Sequence, residues 1–499
     1  MKHVLFAASE AHPLIKTGGL GDVAGSLPAA LAELGDDVRL IMPAYRPLLQ
    51  KLDQVEVIAN FTIAATADKV RLLAATLPGE KLPLILVDFP PYFDRDGNPY
   101  LNDSGTDWHD NAERFALFCR AIVEVAMGRV GLSWKADIVH CNDWQTGLVP
   151  ALLSLEEPRP ATLFTIHNLA YQGRFFGEMF HRLNLPHQLW GAEGLEFYND
   201  LSFIKGGLFY ADRINAVSPT YAEEICTPEF GYGLDGLLNS RRSELSGIIN
   251  GIDYHVWDPE TDPHIAAHYN ADSLHLKQGN KIALQQQLGL PMNRDIPLLG
   301  SIGRLVGQKG IDLFIEIIPD LLSSEEVQIA FLGTGSHWIE SQLRKLQLAY
   351  PDKIALVVGY NETLAHLIEA GADIFVMPSR FEPCGLNQLF SLRYGTPPLV
   401  RFTGGLADTV IHSNEATIND GTASGFIFDE ANPQQLRWTL GEALALYHQP
   451  WLWQQIQRNA MQHDYSWRES ARRYDMLYQE MIKQPFPHLT PTDNGEKHD

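Results

Sequence analysis

What most constrains this chain is an alternation. Short, unbroken apolar runs rich in β-branched residues are each followed by sequence with helical spacing. "HVLFAAS" precedes helical sequence from about Gly21 to Leu34, and "DVRLIMP" follows. "ADIVHCN", "TLFTIHN" and "RINAVS" continue the series. A strand apolar on both faces needs cover on both, and helices between successive strands supply it. The pattern therefore predicts a parallel, doubly wound sheet. Residues Val55 to Val87 break the alternation and read as antiparallel. A second series opens at "PLLGSIGR" and runs through "VQIAFLGTG", "KIALVVGY", "ADIFVMPS" and "PPLVRF". It predicts a second α/β unit of the same class. The length of 499 residues exceeds what one core normally organises. The seam falls near "NGIDYHVWDP" (250–259), which carries Gly, Asp and Pro without periodicity.

Open α/β sheets bind ligands beyond the carboxyl ends of their strands. Two near-identical loops sit there: "KTGGLGDV" (16–23) after the first strand and "TGGLADTV" (403–410) after "PLVRF". Glycine lets a ligand approach the backbone, and a following helix N-terminus favours an anion. The repetition predicts two half-sites for one anionic ligand. The net charge of −23 opposes binding to nucleic acid or an anionic membrane, so cations for such a ligand must be local. "SIGRLVGQKG" (301–310) supplies Arg304 and Lys309 between a strand and a helix. The arginine offers a forked donor and the lysine a mobile point charge. Glu382, in "SRFEPCGLN", stands after a strand, where a carboxylate can bind sugar hydroxyls. "HCNDWQTG" (140–147) and "TIHNLAYQG" (165–173) put His, Asn and Asp directly after apolar strands. With Trp144 and Tyr171 these groups suit a carbohydrate. Each feature alone has a plain structural reading: a tight turn, solvated cations, a helix-start charge, a core histidine. Their pairing across two α/β halves favours a site.

Four cysteines without a Cys-x-x-Cys pair suggest a reducing compartment. The apolar run in "MKHVLFAASE" is too short for a signal segment or a span, so a cytoplasmic protein beginning with a strand is expected. Asp94-Arg95-Asp96 looks like a metal-binding Asp-x-Asp, but "GNPY" follows it. It reads as a turn, and no metal is assigned.

Together "KTGGLGDV", "HCNDWQTGL", "TIHNLAYQG", "FIKGGLFYADRINAVSPTYAEEI", "TPEFGYGLDG", "IINGID", "GRLVGQKG" and "SRFEPCGLNQL…TGGLADTV" resemble the bacterial and plant-plastid glycogen (starch) synthases. The resemblance implies an α/β, GT-B architecture of two Rossmann-like domains facing a deep cleft. The first domain is expected at 1–250, on the acceptor side, and the nucleotide-sugar domain at 251–464. A C-terminal helix at about 465–482 is expected to pack back on the first domain, with a disordered tail at 483–499. A ligand-driven hinge closure about Asn250 to Asp258 and near residue 455 is also implied.

The implied reaction is transfer of glucose from ADP-glucose to the non-reducing end of an α-1,4-glucan such as glycogen. Configuration is retained, no metal or other cofactor takes part, and neither nucleic acid nor membrane is a partner. By resemblance the catalytic set is Lys16, His167, Arg304, Lys309 and Glu382. Lys16, Gly18 and Gly19 contact the donor. Arg304 and Lys309 neutralise its diphosphate, with backbone N–H groups of Gly404, Gly405 and Leu406. His167 and Asn168 border the transferred glucose, and Glu382 and Cys384 lie against its other side. Asn250, Gln308, Asn387 and the Gly359–Tyr360 step help position the donor. Asp22, Ser379, Gly385, Leu386 and Thr403 complete the binding set, and Asp143 sits near the sugar or acceptor. One position departs from the wider retaining group: its second Glu, eight residues after the first, is Phe390 here. UDP-glucose as donor stays open at this stage. A catalytically silent glucan-binding protein is disfavoured by the presence of Lys16, Lys309 and Glu382.

Overall fold

The computed structural model describes residues 1–102 and 104–483. The tail expected from 483 onward therefore lies outside the described residues, apart from Lys483, which ends a helix. The chain forms two compact units. One comprises Met1–Gly251 together with the chain from Trp467 onward, and the other is Ile252–Ser466.

The strands of the first unit are β1 (His3–Ala7), β2 (Asp37–Pro43), β3 (Glu56–Ile63), β4 (Asp68–Thr76), β5 (Pro83–Asp88), β6 (Ile138–Asn142), β7 (Ala161–Ile166), β8 (Arg174–Phe176), β9 (Glu196–Phe197), β10 (Asp200–Ser202), β11 (Arg213–Ala216) and β12 (Leu245–Gly247). Nine of them make one sheet in the order β12-β11-β7-β6-β1-β2-β5-β4-β3. Val4 to Ala7 are wholly buried, as an apolar run in a central parallel strand must be. The interruption at Val55 to Val87 is the β3–β4–β5 meander, antiparallel within itself and joined to β2 in parallel. The winding reverses at β1, between β6 and β2, so the loops after β1 and β6 flank a switch point. The sequence reading missed β8–β10, a separate antiparallel sheet in the order β8-β10-β9. Strands of two or three residues are too short to display a period.

The helix Trp467–Lys483 belongs to this unit, and its anchors are polar. His140, fully buried on β6, bonds the Tyr478 hydroxyl through Nδ1 and Thr165 Oγ1 through Nε2, both at 2.7 Å. Burial holds its imidazole well below the usual range, so it is neutral. Asn215 Nδ2 donates to the Tyr474 hydroxyl at 2.9 Å, and Lys2 Nζ meets Asp475 at 2.5 Å. A buried ring or amide costs free energy unless such partners are present.

The second unit holds β13 (Leu298–Ile302), β14 (Gln328–Gly333), β15 (Ile354–Val358), β16 (Ile374–Met377), β17 (Pro398–Arg401) and β18 (Phe426–Phe428). All pairings are parallel, in the order β15-β14-β13-β16-β17-β18. Phe314, Ile318 and Leu321 of one helix pack on Ile329 and Phe331 of β14. The winding again reverses at the first strand, between β14 and β16. The unit's two ends are tied together, with the Ile252 amide donating to the Tyr465 carbonyl at 2.8 Å. The four cysteines are buried and none forms a disulfide. Among the described residues no helix is long and apolar enough to cross a membrane.

Candidate active site

In the first unit the loops after β1, β6 and β7 carry the residues singled out from the sequence. The loop after β1 is organised by Glu10, which sequence reasoning missed. Its Oε2 accepts from the Thr17 amide at 2.5 Å and the Thr17 hydroxyl at 2.7 Å. Lys16 Nζ reaches Asp22 Oδ1 at 2.7 Å, so Asp22 holds the lysine. The helix Gly19–Glu33 starts without a side-chain cap, and a Cβ on Gly19 would meet nothing within 4 Å. These glycines leave room beside the backbone.

Asp143 takes a positive φ of 56°, uncommon for a residue with a side chain. Its Oδ1 accepts from the His167 amide at 2.8 Å, which fixes the backbone of the loop after β7. His167 Nε2 lies 2.9 Å from Asn142 Oδ1. Asn142 uses its amide nitrogen as a donor to the Ala7 carbonyl, so Oδ1 is an acceptor and the His167 proton sits on Nε2. Burial pushes this imidazole down to about 3, and its Nδ1 is therefore an acceptor at neutral pH. Asn250 Oδ1 is buried with no hydrogen-bond partner among the described residues. Such an orphan calls for an explanation.

Burial, the largest cause in each case, pushes both Glu10 and Asp143 up to about 7. The folded state thus keeps protons that the unfolded chain releases above the ordinary carboxylate range. More protons bound when folded means that stability falls as pH rises through this window. The contribution is complete below the ordinary carboxylate range and is lost by about pH 7. Asp143→Asn is expected to flatten part of that fall. Unfolding temperatures of both proteins measured from about pH 5 to about pH 7.5 check it. Parallel curves would refute it.

Trp144 does not join Tyr171 as a sugar platform. Its ring packs edge-on against Phe115, Phe175 and Phe203, and a Cβ on Gly173 would lie 2.3 Å from it. Tyr171 is exposed. The carboxylates of Asp94 and Asp96 are both held by Arg46, at 2.7 and 2.9 Å.

In the second unit the loops after β13, β16 and β17 converge. Lys309 Nζ lies 2.5 Å from Glu382 Oε2, and the Ser379 hydroxyl donates to the same oxygen at 3.1 Å. Arg304 Nη2 donates to Gln308 Oε1 at 3.2 Å, and Gln308 Nε2 to the Phe381 carbonyl at 3.3 Å. Asn387 Nδ2 donates to the Ile302 carbonyl at 2.8 Å. Gly310 has φ 66°, and a Cβ there would stand 1.9 Å from the Pro378 carbonyl oxygen, so only glycine lets these loops touch. Cys384 is buried, Gly385 has φ 74° and Leu386 precedes the helix Asn387–Arg393. Gly359 has φ 127°, and Tyr360 after it is 87% exposed.

The second Thr-Gly-Gly-Leu loop differs from the first. Cβ atoms on Gly404 and Gly405 would fall 2.0 Å from the Glu382 carbonyl oxygen and 2.1 Å from that of Cys384. The Gly405 amide donates to the Glu382 and Pro383 carbonyls at 3.2 Å, and the Leu406 amide to Thr403 at 3.1 Å. These two amides, expected to face a diphosphate, are engaged inside the protein, and the segment from Thr403 braces the Glu382 loop. Phe390 is taken up in a ring stack: it lies on Trp257 at 3.8 Å, and Trp257 lies on His366 at 3.7 Å.

Comparisons with known proteins show the family. Residues 3–240 match the family described as "Starch synthase catalytic domain", and 283–461 match "Glycosyl transferases group 1". A glycogen synthase of Thioalkalivibrio sulfidiphilus is 53% identical over 480 residues, covering 96% of this chain and 99% of that one. Glycogen synthase 1 of Methylococcus capsulatus is 54% identical over 479 residues, 96% of each chain. The catalytic domain of starch synthase IV from Arabidopsis thaliana, solved bound to ADP and acarbose, superposes with a TM-score of 0.85 at 32% identity. It covers 97% of this chain and 100% of that one. A sucrose-phosphate synthase from Thermosynechococcus elongatus shares the fold, with a TM-score of 0.60 at 18% identity, over 97% of this chain and 100% of that one. With two α/β units of GT-B type and relatives of this identity along nearly its whole length, the chain belongs to the glycogen and starch synthase family of retaining glycosyltransferases.

Proposed function

We propose that this enzyme lengthens an α-1,4-glucan by transferring glucose from ADP-glucose to its non-reducing end, with retention and release of ADP. The observation that carries the reading is the cluster of Arg304, Lys309, Ser379 and Glu382 at the carboxyl ends of β13 and β16. Breaking the bond between glucose C1 and the diphosphate leaves positive charge on the sugar and negative charge on the phosphate. Fixed cations aimed at that negative charge lower the barrier, often as the largest single catalytic term. Arg304 and Lys309 take this role, and Lys16, steadied by Asp22, adds a third cation. Glu382 and the Nδ1 of neutral His167 accept hydrogen bonds from hydroxyls of the glucose. Asn168 borders the same sugar. The orphaned Asn250 Oδ1 finds its partner on the bound donor. The acceptor's 4-hydroxyl attacks C1 on the face that the phosphate leaves, and a phosphate oxygen takes its proton.

With Phe390 stacked on Trp257, the ribose is held by other groups. ADP in the Arabidopsis neighbour supports adenine as the base. The cationic loops supply the kind of charge that a metal would otherwise bring, and Arg46 engages the one Asp-x-Asp pair. Buried cysteines outside any disulfide support a cytoplasmic setting.

Nucleotide release from ADP-glucose and UDP-glucose, each with and without glycogen, tests the reading. Glycogen-dependent release from ADP-glucose, undiminished by a chelator, is the expected result. Preference for UDP-glucose would overturn the donor, and activity lost in chelator and restored by Mg²⁺ would overturn the metal-free mechanism.

A further inference from the structure

The small sheet β8–β10 and the turns around it have no part in the mechanism above, yet they hold a run of exposed aromatic rings. Tyr198 is 71% exposed, Phe176 78% and Tyr232 42%. Contacts connect them, within the first unit, to the candidate active-site loop. The Tyr171 amide closes a turn on the Asn168 carbonyl at 3.1 Å. Gln172 Nε2 donates to the Tyr232 carbonyl at 3.3 Å. A Cβ on the neighbouring Gly233 would lie 3.5 Å from the Tyr198 ring. Asp200, two residues on, pairs with Phe176 across the sheet.

Two of these rings occupy backbone positions that suit them badly. Tyr198 has φ 53° and Tyr232 φ 50°, the left-handed region, where glycine and asparagine are at ease and a bulky residue is an outlier. Neither ring is buried in return. A strained position that presents an exposed ring signals an interaction made outside the fold. Within the small sheet Arg174 pairs with Asp200 at 2.8 Å and covers the Phe197 ring, which leaves exposed aromatic faces as the patch's main feature. Such faces suit a polyhydroxy chain, whose C–H groups stack on aromatic rings.

We infer that Tyr232, Tyr198 and Phe176 form a track that binds the acceptor glucan several sugars behind its reacting end. The inference rests on the glucan-elongating reading. Its occupant is the glucan because the track continues from Asn168, the residue bordering the transferred glucose. Long acceptors engage it, and short ones end before it.

The double variant Tyr198→Asn/Tyr232→Asn removes both rings and leaves a residue compatible with the left-handed backbone. Its unfolding temperature should match or exceed that of the unaltered protein. KM for glycogen should rise about tenfold. KM for maltotriose and for ADP-glucose, and kcat at saturating glycogen, should stay within about twofold. Co-sedimentation with glycogen should weaken in parallel. An unchanged glycogen KM in the folded variant overturns the track while leaving the reaction intact. An equal rise for maltotriose, or a fall in kcat, overturns it in favour of a structural role. An unaltered protein that extends neither acceptor overturns the glucan reading and the track with it.

Discussion

Lys309→Ala and Arg304→Ala are each expected to lower kcat by about 10²–10³, a barrier increase of roughly 3–4 kcal/mol, as for removal of one preorganised charge partner of the transition state. The two lysine-dependent effects act together. The leaving phosphate loses a cation, and Glu382, whose side chain is only 9% exposed, loses the ammonium 2.5 Å away while the Ser379 hydroxyl remains. Among the described residues Arg304 pairs with no carboxylate; its guanidinium meets Gln308, so its loss bears on the diphosphate more purely. Glycogen-dependent ADP release under saturating substrates gives kcat, and circular dichroism reports the fold. A near-normal kcat in either folded variant would move the phosphate site away from the loop after β13.

The other large effect concerns stability. Gly405→Ala is expected to destabilise the second unit by roughly 3 kcal/mol, the upper end for overpacking, because the added Cβ meets backbone that has nowhere to go. It would lie 2.1 Å from the Cys384 carbonyl oxygen and 2.6 Å from Cys384 Cα. The matching change in the first loop, Gly19→Ala, meets nothing within 4 Å and should leave stability unchanged or slightly raised. Urea unfolding of both variants makes the comparison. Equal midpoints would mean that the Glu382 loop is not braced from behind.

The contrast between these loops marks the limit of what the sequence makes legible. Thr-Gly-Gly-Leu announces a strand-to-helix turn in both places, and both are such turns. Whether a glycine is there to admit a ligand or a neighbouring backbone depends on a segment about twenty residues away that folds back over it, which no local pattern records. The strands β1, β6, β7 and β13 to β17 were legible because double-sided burial demands unbroken apolar runs. The sheet β8–β10 was not, since strands of two or three residues cannot repeat a pattern often enough to show it. Glu10 was not legible because its partners on Thr17 and Gly18 meet it only when the chain turns back on itself. Trp144 was grouped with Tyr171 by composition, but three aromatic neighbours from distant segments draw it inward.

The anchoring of the last helix bears on how the chain is made. His140 and Asn215 lie wholly inside the first sheet, and each relies on a tyrosine hydroxyl contributed by residue 478 or 474. A ribosome supplies those tyrosines only after the entire second unit has been synthesised. Until then the first unit carries buried polar groups without these partners, a cost that keeps it short of its finished stability. The second unit is continuous from Ile252 to Ser466 and is pinned at its ends by residues of that same span. Domains commonly complete in the order of their synthesis. Here the order is inverted: the half that begins the chain is the half that finishes last.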